Sequence, residues 1–250
     1  MVDIHCHILP GLDDGPETLE QSIAMVKVAH AAGTTDIVAT PHSNPSYTFD
    51  PELIALKIAE LERATNSAVR LHTGCDFHLS ATNIQDALLH PTKYTINHLA
   101  YLLVEFADFS IPPSTGEIFH RLRSAGMLPI ITHPERNALL QERPDEIRSW
   151  VERDCLVQVT AQSFLGRFGK RARAFSEKLL RDGLVHIVAS DAHDAADRTP
   201  SLREAYAYVA TNFGETQAQA LFVRNPEAVL RGEPVEPWES EPKKRKWYHF

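Results

Sequence analysis

Two histidines near residue 6 are the first residues whose types and spacing suggest chemistry. His5 and His7 lie in the stretch DIHCHILPGLDDG, on either side of Cys6. Alternate side chains of a β-strand share a face, so the two imidazoles point one way and Cys6 points the other. Asp13 and Asp14 follow in a turn marked by glycine and proline. An H-x-H pair is weak evidence alone, but histidines and carboxylates at a strand end indicate the start of a metal site.

The same residue types recur where other predicted strands end. Histidine or carboxylate follows six of the seven strand-like runs, whereas unrelated polar residues would be scattered along the strands. Besides the first pair, these residues are His42, Asp76, Glu105, His133, Glu135, Asp191 and His193. Because the carboxyl ends of parallel strands in a barrel converge on one face, we expect these side chains to meet there.

The candidate ligands include more donors than one ion can use. They are His5, His7, Asp14, His42, Asp76, Glu105, His133, Asp191 and His193. One divalent ion binds about four to six ligands, so the set fits two or three ions that share carboxylates. Nitrogen and oxygen donors suit manganese, with iron, magnesium or zinc as alternatives. Clustered ions of this kind activate water and stabilise an oxyanion, which is hydrolytic chemistry and most often acts on phosphate esters.

Two arginines beside these ligands favour a phosphorylated substrate. Arg136 follows His133 by three residues, and Arg198 follows His193 in a polar loop. A guanidinium binds phosphate oxygens as a bidentate fork, so both arginines are candidate catalytic residues. Thiol chemistry is excluded, because no cysteine is followed six residues later by the arginine that a cysteine phosphatase needs.

Strand-like and helix-like runs that alternate along the chain must position these residues. The predicted strands lie near 2–7, 36–40, 69–76, 99–106, 128–132, 155–160 and 185–190. Between them lie amphipathic segments, one with Asp50 as N-cap before Pro51 and another ending at Gly33. The alternation predicts an α/β fold with a parallel sheet, most simply closed into a barrel with the active site at the C-terminal strand ends. An open doubly wound sheet is the alternative, but its glycine-rich phosphate loop is absent.

Composition describes an ordinary globular enzyme. The chain has 250 residues, 43% of them hydrophobic and 23% charged, and we assign residues 1–230 to one domain. A net charge of −8 argues against a nucleic-acid partner. The sequence shows no signal-peptide pattern, no apolar run of the ~20 residues that span a membrane and no disulfide framework. We therefore expect a cytoplasmic protein.

Residues 231–250 differ in kind from the rest of the chain. Prolines interrupt an acidic stretch, and the basic and aromatic run KKRKWYHF follows. The simpler interpretation is a solvated tail. The functional alternative is a docking patch for an anionic membrane surface or for a kinase partner.

Several motifs together resemble the bacterial polymerase-and-histidinol-phosphatase (PHP) superfamily. They are DIHCHILPGLDDGP, IVATPH, VEF, ITHPER, FGK and HIVASDAH, and the resemblance runs from residue 1 to about 230. More narrowly, the chain is similar to the manganese-dependent protein-tyrosine phosphatases of capsule and exopolysaccharide operons, the CpsB/YwqE type. This resemblance implies a distorted (β/α)7 barrel, similar to a TIM barrel, with three metal ions. It also implies hydrolysis of phosphotyrosine on a tyrosine kinase that controls polysaccharide synthesis.

The resemblance also assigns roles to individual residues. It implies one metal on His5, His7 and Asp191, a second on Glu105 and His133, and a third on Asp14, His42 and His193, with Arg136 and Arg198 binding phosphate. Where the family has a bridging glutamate, this chain has Asp76, whose arm is shorter. Either the strand end that carries Asp76 lies closer to the barrel axis, or the shorter side chain binds one metal weakly.

Two other functions stay open at this point. One is a small-molecule phosphatase of the histidinol-phosphate type within the same superfamily. The other is a regulatory binding module with a degraded site, against which the complete set of candidate ligands argues.

Overall fold

Parallel strands form the frame of the molecule. The computed structural model describes residues 1–235, and the predicted docking patch KKRKWYHF lies outside the described part. The strands are β1 (Val2–Cys6), β2 (Asp36–Ala39), β3 (His42–Ser43), β4 (Arg70–Thr73), β5 (Asp76–His78), β6 (Tyr101–Glu105), β7 (Leu128–Thr132), β8 (Leu156–Thr160) and β9 (Ile187–Ala189). Their ladder pairings are parallel, which confirms the α/β prediction.

Helices separate the strands along the chain. They are α1 (Leu19–Ala31), α2 (Pro51–Ala64), α3 (Ala81–Leu89), α4 (Thr115–Ser124), α5 (Ala138–Gln141), α6 (Pro144–Val151), α7 (Ala161–Phe164), α8 (Gly169–Arg181), α9 (Arg203–Phe213), α10 (Glu215–Gln219) and α11 (Asn225–Arg231). The predicted boundary signals are present: Asp50 accepts hydrogen bonds from the amides of Glu52 and Leu53, and Gly33 has a φ of +89° just after α1. Among the described helices, none combines the length and the apolar character that a membrane crossing requires.

The strands lie in two sheets that nearly continue one another. One has the order β1-β2-β4 and the other the order β3-β5-β6-β7-β8-β9. Only Thr40 and Pro41 separate β2 from β3, and only Gly74 and Cys75 separate β4 from β5. The strand predicted over 69–76 is therefore interrupted at Gly74 and Cys75. Pro41 has no amide to donate, which interrupts the ladder beside it. Gly74 lies so close to Val38 that a Cβ there would be 2.6 Å from the valine side chain, so the strand passes this point without a side chain.

The segment after β9 lies against β1. The Asp191 amide donates to the carbonyl of His5 at 2.8 Å, and the His7 amide donates to the carbonyl of Ala192 at 2.9 Å. A parallel bridge joins Cys6 to Ala192. β1 therefore has hydrogen-bonded neighbours on both sides, β2 on one and the end of β9 on the other.

Apolar side chains pack on both faces of the sheets. One group, here named the inner cluster, consists of Val2, Ile4, Val38, Ile96, Tyr101, Leu103, Ile130, Ile187, Ala189 and Val229. A larger group packs between the opposite face and the helices. Along β6, Leu103 belongs to the inner cluster while Leu102 and Val104 belong to the larger group, as strand alternation requires. Glu105 follows on the face of Leu103, so this predicted ligand lies just beyond the inner cluster.

Candidate metal centre

His5 and His7 lie together at the end of β1, as the H-x-H spacing predicts. Their Nε2 atoms are 3.3 Å apart. The register of β1 against β2 shifts between Asp3 and Cys6, so β1 carries an extra residue there. A bulge of this kind re-aims the side chains that follow it. Ile4 packs in the inner cluster, and the bulge lets His5 turn toward the same side.

The Nδ1 atoms of His5 and His7 each contact another side chain. His5 Nδ1 lies 3.0 Å from Gln158 Oε1, and His7 Nδ1 lies 2.6 Å from Asp13 Oδ2. Contacts of this kind favour the tautomer whose Nε2 lone pair is free for a metal. Sequence patterns predict neither role. The sequence signal for Gln158 is a glutamine between two valines in the strand LVQVT, and the structure buries it fully.

Asp13 also ties two other segments to β1. It accepts hydrogen bonds from the amide of Gly15 at 3.0 Å and from the amide of His42 at 3.1 Å. A Cβ at Gly15 would lie 2.6 Å from the carbonyl oxygen of His7, so only glycine allows this close approach. The turn brings His7 and His42 together, with ring centroids 4.4 Å apart.

The carboxylate of Asp76 lies at the centre of the histidines. Its Oδ2 is 3.1 Å from His42 Nδ1, 3.6 Å from His5 Nε2 and 4.0 Å from His7 Nε2. The side chain is buried, and within the described residues neither oxygen has a hydrogen bond of good geometry. A buried carboxylate of this kind is costly unless a cation neutralises it. Despite its shorter arm, Asp76 therefore occupies a position that suits a bridging ligand.

Glu105 connects His42 to His133. Its Oε2 lies 3.5 Å from His42 Nδ1, and its Oε1 lies 3.6 Å from His133 Nε2. His78 Nδ1 lies 3.8 Å from Glu105 Oε2, so His78 borders the cluster. His133 has a φ of 31°, a conformation that residues other than glycine rarely adopt and that recurs at functional sites.

Asp191 and His193 reach the cluster from the segment after β9. Asp191 Oδ1 lies 3.5 Å from the Nε2 atoms of His5 and His7. His193 Nε2 lies 3.4 Å from Asp14 Oδ1. Asp191 has a φ of 50°, so a second predicted ligand has a left-handed backbone.

Seven of the nine predicted ligands form three overlapping groups whose donor atoms lie within 4.8 Å of one another. The groups are His7, Asp14, His42 and His193; His5, His7 and Asp76; and His42, Asp76 and Glu105. His133 and Asp191 lie outside these groups but contact their members. The described residues thus provide donors for more than one divalent cation.

The predicted catalytic arginines both reach Asp191. Arg198 Nη2 donates to Asp191 Oδ2 at 2.8 Å and to its carbonyl at 3.0 Å, and Arg136 donates to the same Oδ2. The Arg136 guanidinium lies over the ring of Phe168, 4.4 Å from its centroid. A cavity of about 240 Å³, lined in part by Glu105 and Arg136, adjoins the cluster. A phosphate oxygen in this cavity would meet the guanidinium of Arg136.

Burial and charge set the protonation of the histidines. Burial lowers the pKa of His7 to about 3, and burial also lowers the pKa of His193. These rings stay neutral, as metal ligands must. For His42, burial opposes the charged form, but the nearby carboxylates of Asp14 and Asp76 outweigh it and raise the pKa to about 11. The carboxylates thus favour positive charge in the cluster, and a divalent cation would supply it.

Comparisons with known proteins agree with this chemistry. The family model described as capsular polysaccharide synthesis, CpsB/CapC, matches residues 1–231. Tyrosine-protein phosphatase YwqE of Bacillus subtilis (strain 168) is 34% identical over 255 residues, which cover 100% of each chain. Tyrosine-protein phosphatase CpsB of Streptococcus agalactiae is 31% identical over 248 residues, which cover 92% of this chain and 98% of the relative.

A solved structure of a relative also matches this chain. The match is a chain from the crystal structures of YwqE from Bacillus subtilis and CpsB from Streptococcus pneumoniae, metal-dependent tyrosine phosphatases. It has a TM-score of 0.89 and 32% identity, and the match covers 98% of this chain and 100% of the other. The resemblance expected from the motifs is thereby confirmed. The chain belongs to the CpsB/CapC family of capsular polysaccharide synthesis.

Proposed function

We propose that this chain is a metal-dependent protein-tyrosine phosphatase. The observation that carries the proposal is the buried Asp76 carboxylate, which lies among imidazoles without a hydrogen bond of good geometry in the described residues. Arg136 and Arg198 stand at the edge of the same cluster, where they would bind phosphate oxygens. YwqE and CpsB, the relatives described above, are tyrosine-protein phosphatases, which supports the same activity here.

The proposed metal ligands are the nine residues predicted from the strand ends. They are His5, His7, Asp14, His42, Asp76, Glu105, His133, Asp191 and His193. We propose three manganese ions, with iron, magnesium or zinc as alternatives, because the donors are nitrogen and oxygen only. Bound divalent ions would supply activation of water and neutralisation of negative charge.

The other residues of the site would bind the phosphoryl group and orient the metal ligands. Arg136 and Arg198 would hold the phosphoryl oxygens and neutralise charge that develops on them. Asp13 and Gln158 would keep His7 and His5 aimed at the cluster. The phenolate that leaves from phosphotyrosine has a conjugate acid of pKa about 10, so it needs less protonation than an alkoxide would.

We also propose that the two sheets form one closed barrel of seven strands. In this count β2 with β3 is one strand, and β4 with β5 is another. The hydrogen bonds between β1 and the segment after β9 support closure. The cluster would then lie at the C-terminal ends of the strands, where barrel enzymes place their active sites.

The partner, the location and the tail are predictions in their own right. The capsule-synthesis family supports a phosphotyrosine-containing kinase of polysaccharide synthesis as the substrate. We further predict a cytoplasmic location, a division of the chain into a domain over residues 1–230 and a tail over residues 231–250, and docking through the basic end of that tail.

Metal removal tests the proposed function directly. Chelation followed by dialysis should abolish hydrolysis of a phosphotyrosine peptide, and added manganese should restore it, because activation of the attacking water would depend on the bound divalent ions. Elemental analysis of the active protein should give about three ions per chain. Activity that survives exhaustive chelation contradicts the proposal. A higher kcat/KM for histidinol phosphate than for the peptide would assign the site to small-molecule substrates instead.

A further inference from the structure

An aromatic ring outside the predicted ligand set lies against the cluster. The ring of Tyr47 stacks on the imidazole of His42, with centroids 5.9 Å apart and planes inclined by 13°. Tyr47 is partly exposed, so its ring does not belong to the closed core. An exposed aromatic surface beside a predicted ligand can contact a bound substrate as well as the protein.

A short turn holds this ring in place. Asn44 and Tyr47 exchange two backbone hydrogen bonds of 3.1 and 3.2 Å. The Asn44 side chain accepts further hydrogen bonds from the amides of Ser46 at 2.8 Å and Tyr47 at 3.1 Å. The side chain of Asn83, in α3, donates to the carbonyl of Ser43 at 2.7 Å. Tyr47 is therefore preorganised, and ordering it would not weaken substrate binding.

Glu105 links His42, on which the Tyr47 ring stacks, to the cavity beside Arg136. Glu105 lines that cavity, and its Oε2 also lies 3.5 Å from His42 Nδ1. A phosphate monoester held by Arg136 would therefore lie one side chain away from His42. Tyr47 stacks on His42, so its ring is connected to that cavity through two contacts, first with His42 and then with Glu105.

Two other aromatic residues, Phe168 between α7 and α8 and Phe109 after β6, are less suited to this role. The ring of Phe168 is already in contact with the guanidinium of Arg136, which lies over it. Phe109, in the loop after β6, is 89% exposed. Of these three residues, Tyr47 is the one that stacks on a predicted ligand and is fixed by a hydrogen-bonded turn.

We propose that Tyr47 forms an aryl-binding subsite, in which its ring contacts the phenyl ring of the substrate. The subsite rests on the proposed phosphatase function and makes the centre prefer aryl phosphates over alkyl phosphates. An aryl ester gains the attraction between two aromatic rings in addition to apolar burial, whereas a short alkyl ester lacks the ring.

The test compares phenyl phosphate with ethyl phosphate on manganese-loaded protein. The readout is the aryl-to-alkyl ratio of kcat/KM in the unaltered chain and in Tyr47→Ala, Tyr47→Leu, Tyr47→Phe and Phe109→Ala. The two variants without an aromatic ring should lower the ratio about tenfold, mainly through a higher KM for phenyl phosphate. Tyr47→Phe keeps the ring and should keep the ratio, and Phe109→Ala is the matched control for loss of an aromatic ring outside the subsite. Tyr47→Leu provides the test if Tyr47→Ala fails to fold.

Each outcome decides the proposal. An unchanged ratio in Tyr47→Ala and Tyr47→Leu overturns the subsite while leaving the phosphatase function intact. Loss of manganese from these variants, with both substrates slowed equally, would show that Tyr47 only supports His42, and this result also overturns the subsite. If the unaltered chain hydrolyses neither ester nor a phosphotyrosine peptide, the proposed function fails and the subsite fails with it.

Discussion

Asp13 controls which nitrogen of His7 is free to bind a metal. Burial opposes ionisation of Asp13, but the contact with His7 and the hydrogen bonds from the amides of Gly15 and His42 lower its pKa below the ordinary value. Asp13 is therefore a carboxylate at neutral pH. A carboxylate next to Nδ1 attracts the ring proton to that nitrogen and leaves Nε2 as the lone pair that faces the cluster.

Asp13→Asn should therefore weaken metal binding while keeping the fold. An asparagine has one oxygen, which can replace either Oδ1, the acceptor for Gly15, or Oδ2, the acceptor for His42 that also faces His7 Nδ1. In either orientation the negative charge that holds the ring proton on Nδ1 is lost. We expect manganese affinity, measured by titration of the metal-free protein, to fall by about 10- to 100-fold. Asp145→Asn makes the same chemical change on an exposed residue of α6 and should have no such effect. Equal affinity in the two variants would show that Asp13 does not orient His7.

Asp76→Glu should lower both the metal content and the rate, even though the resemblance implies a glutamate at this position. Asp76 is fully buried, and its Oδ2 already lies 3.1 Å from His42 Nδ1. A further methylene in so tight a place forces neighbouring side chains apart, which typically costs about 1–3 kcal/mol. Metal retained through dialysis and the manganese needed for half-maximal rate are the measurements. Tighter retention with a lower manganese requirement would mean that the aspartate arm is too short and binds one ion weakly.

Along each element, periodicity explains what could be predicted and what could not. Helix boundaries follow from local patterns, such as Asp50 before Pro51, and the structure confirms this helix start. The bulge in β1 and the break at Gly74 depend on how neighbouring strands approach one another. A pattern read along one strand contains no information about its neighbours, so neither feature could be predicted.

The His186 side chain makes a hydrogen bond to β8 that requires a neutral imidazole. Its Nδ1 accepts a hydrogen bond from the amide of Val157 at 3.1 Å, and its carbonyl accepts one from Asn225 at 2.7 Å. Burial lowers the pKa of His186 from 6.5 to about 4. The unfolded chain therefore takes up this proton at a higher pH than the folded chain does. The stabilising effect of the neutral ring is present above about pH 6.5 and is lost as the pH falls toward 4.

Denaturant unfolding of the metal-free protein at two pH values tests this role. Between pH 7 and pH 5, the unaltered chain should lose about 2 kcal/mol more of its free energy of unfolding than His186→Gln does. His120→Gln changes an exposed histidine of α4 and should follow the unaltered chain. The same pH dependence in all three proteins would mean that His186 does not titrate in this range.

At the scale of the whole molecule, convergence of strand ends made the cluster predictable. Residues as distant in sequence as His7 and His193 could be expected to meet, because parallel strands bring their ends to one side. The side chains that aim the donors, such as Gln158, do not follow from this rule. They were missed because a polar residue inside a strand has no distinctive spacing, and its partner is known only once the chain has folded.

The place of β1 between β2 and the end of β9 has a consequence during protein synthesis. Cys6 and Ala192, which pair across this junction, are 186 residues apart. At about 5–20 residues per second, a ribosome needs about 10–40 s to make the intervening chain. Until then β1 has one unpaired edge, and His5 and His7 lack the donors Asp191 and His193. The full set of proposed donors is therefore present only after Asp191 and His193 have been synthesised, so the proposed ions would bind after the other predicted ligands have already been made.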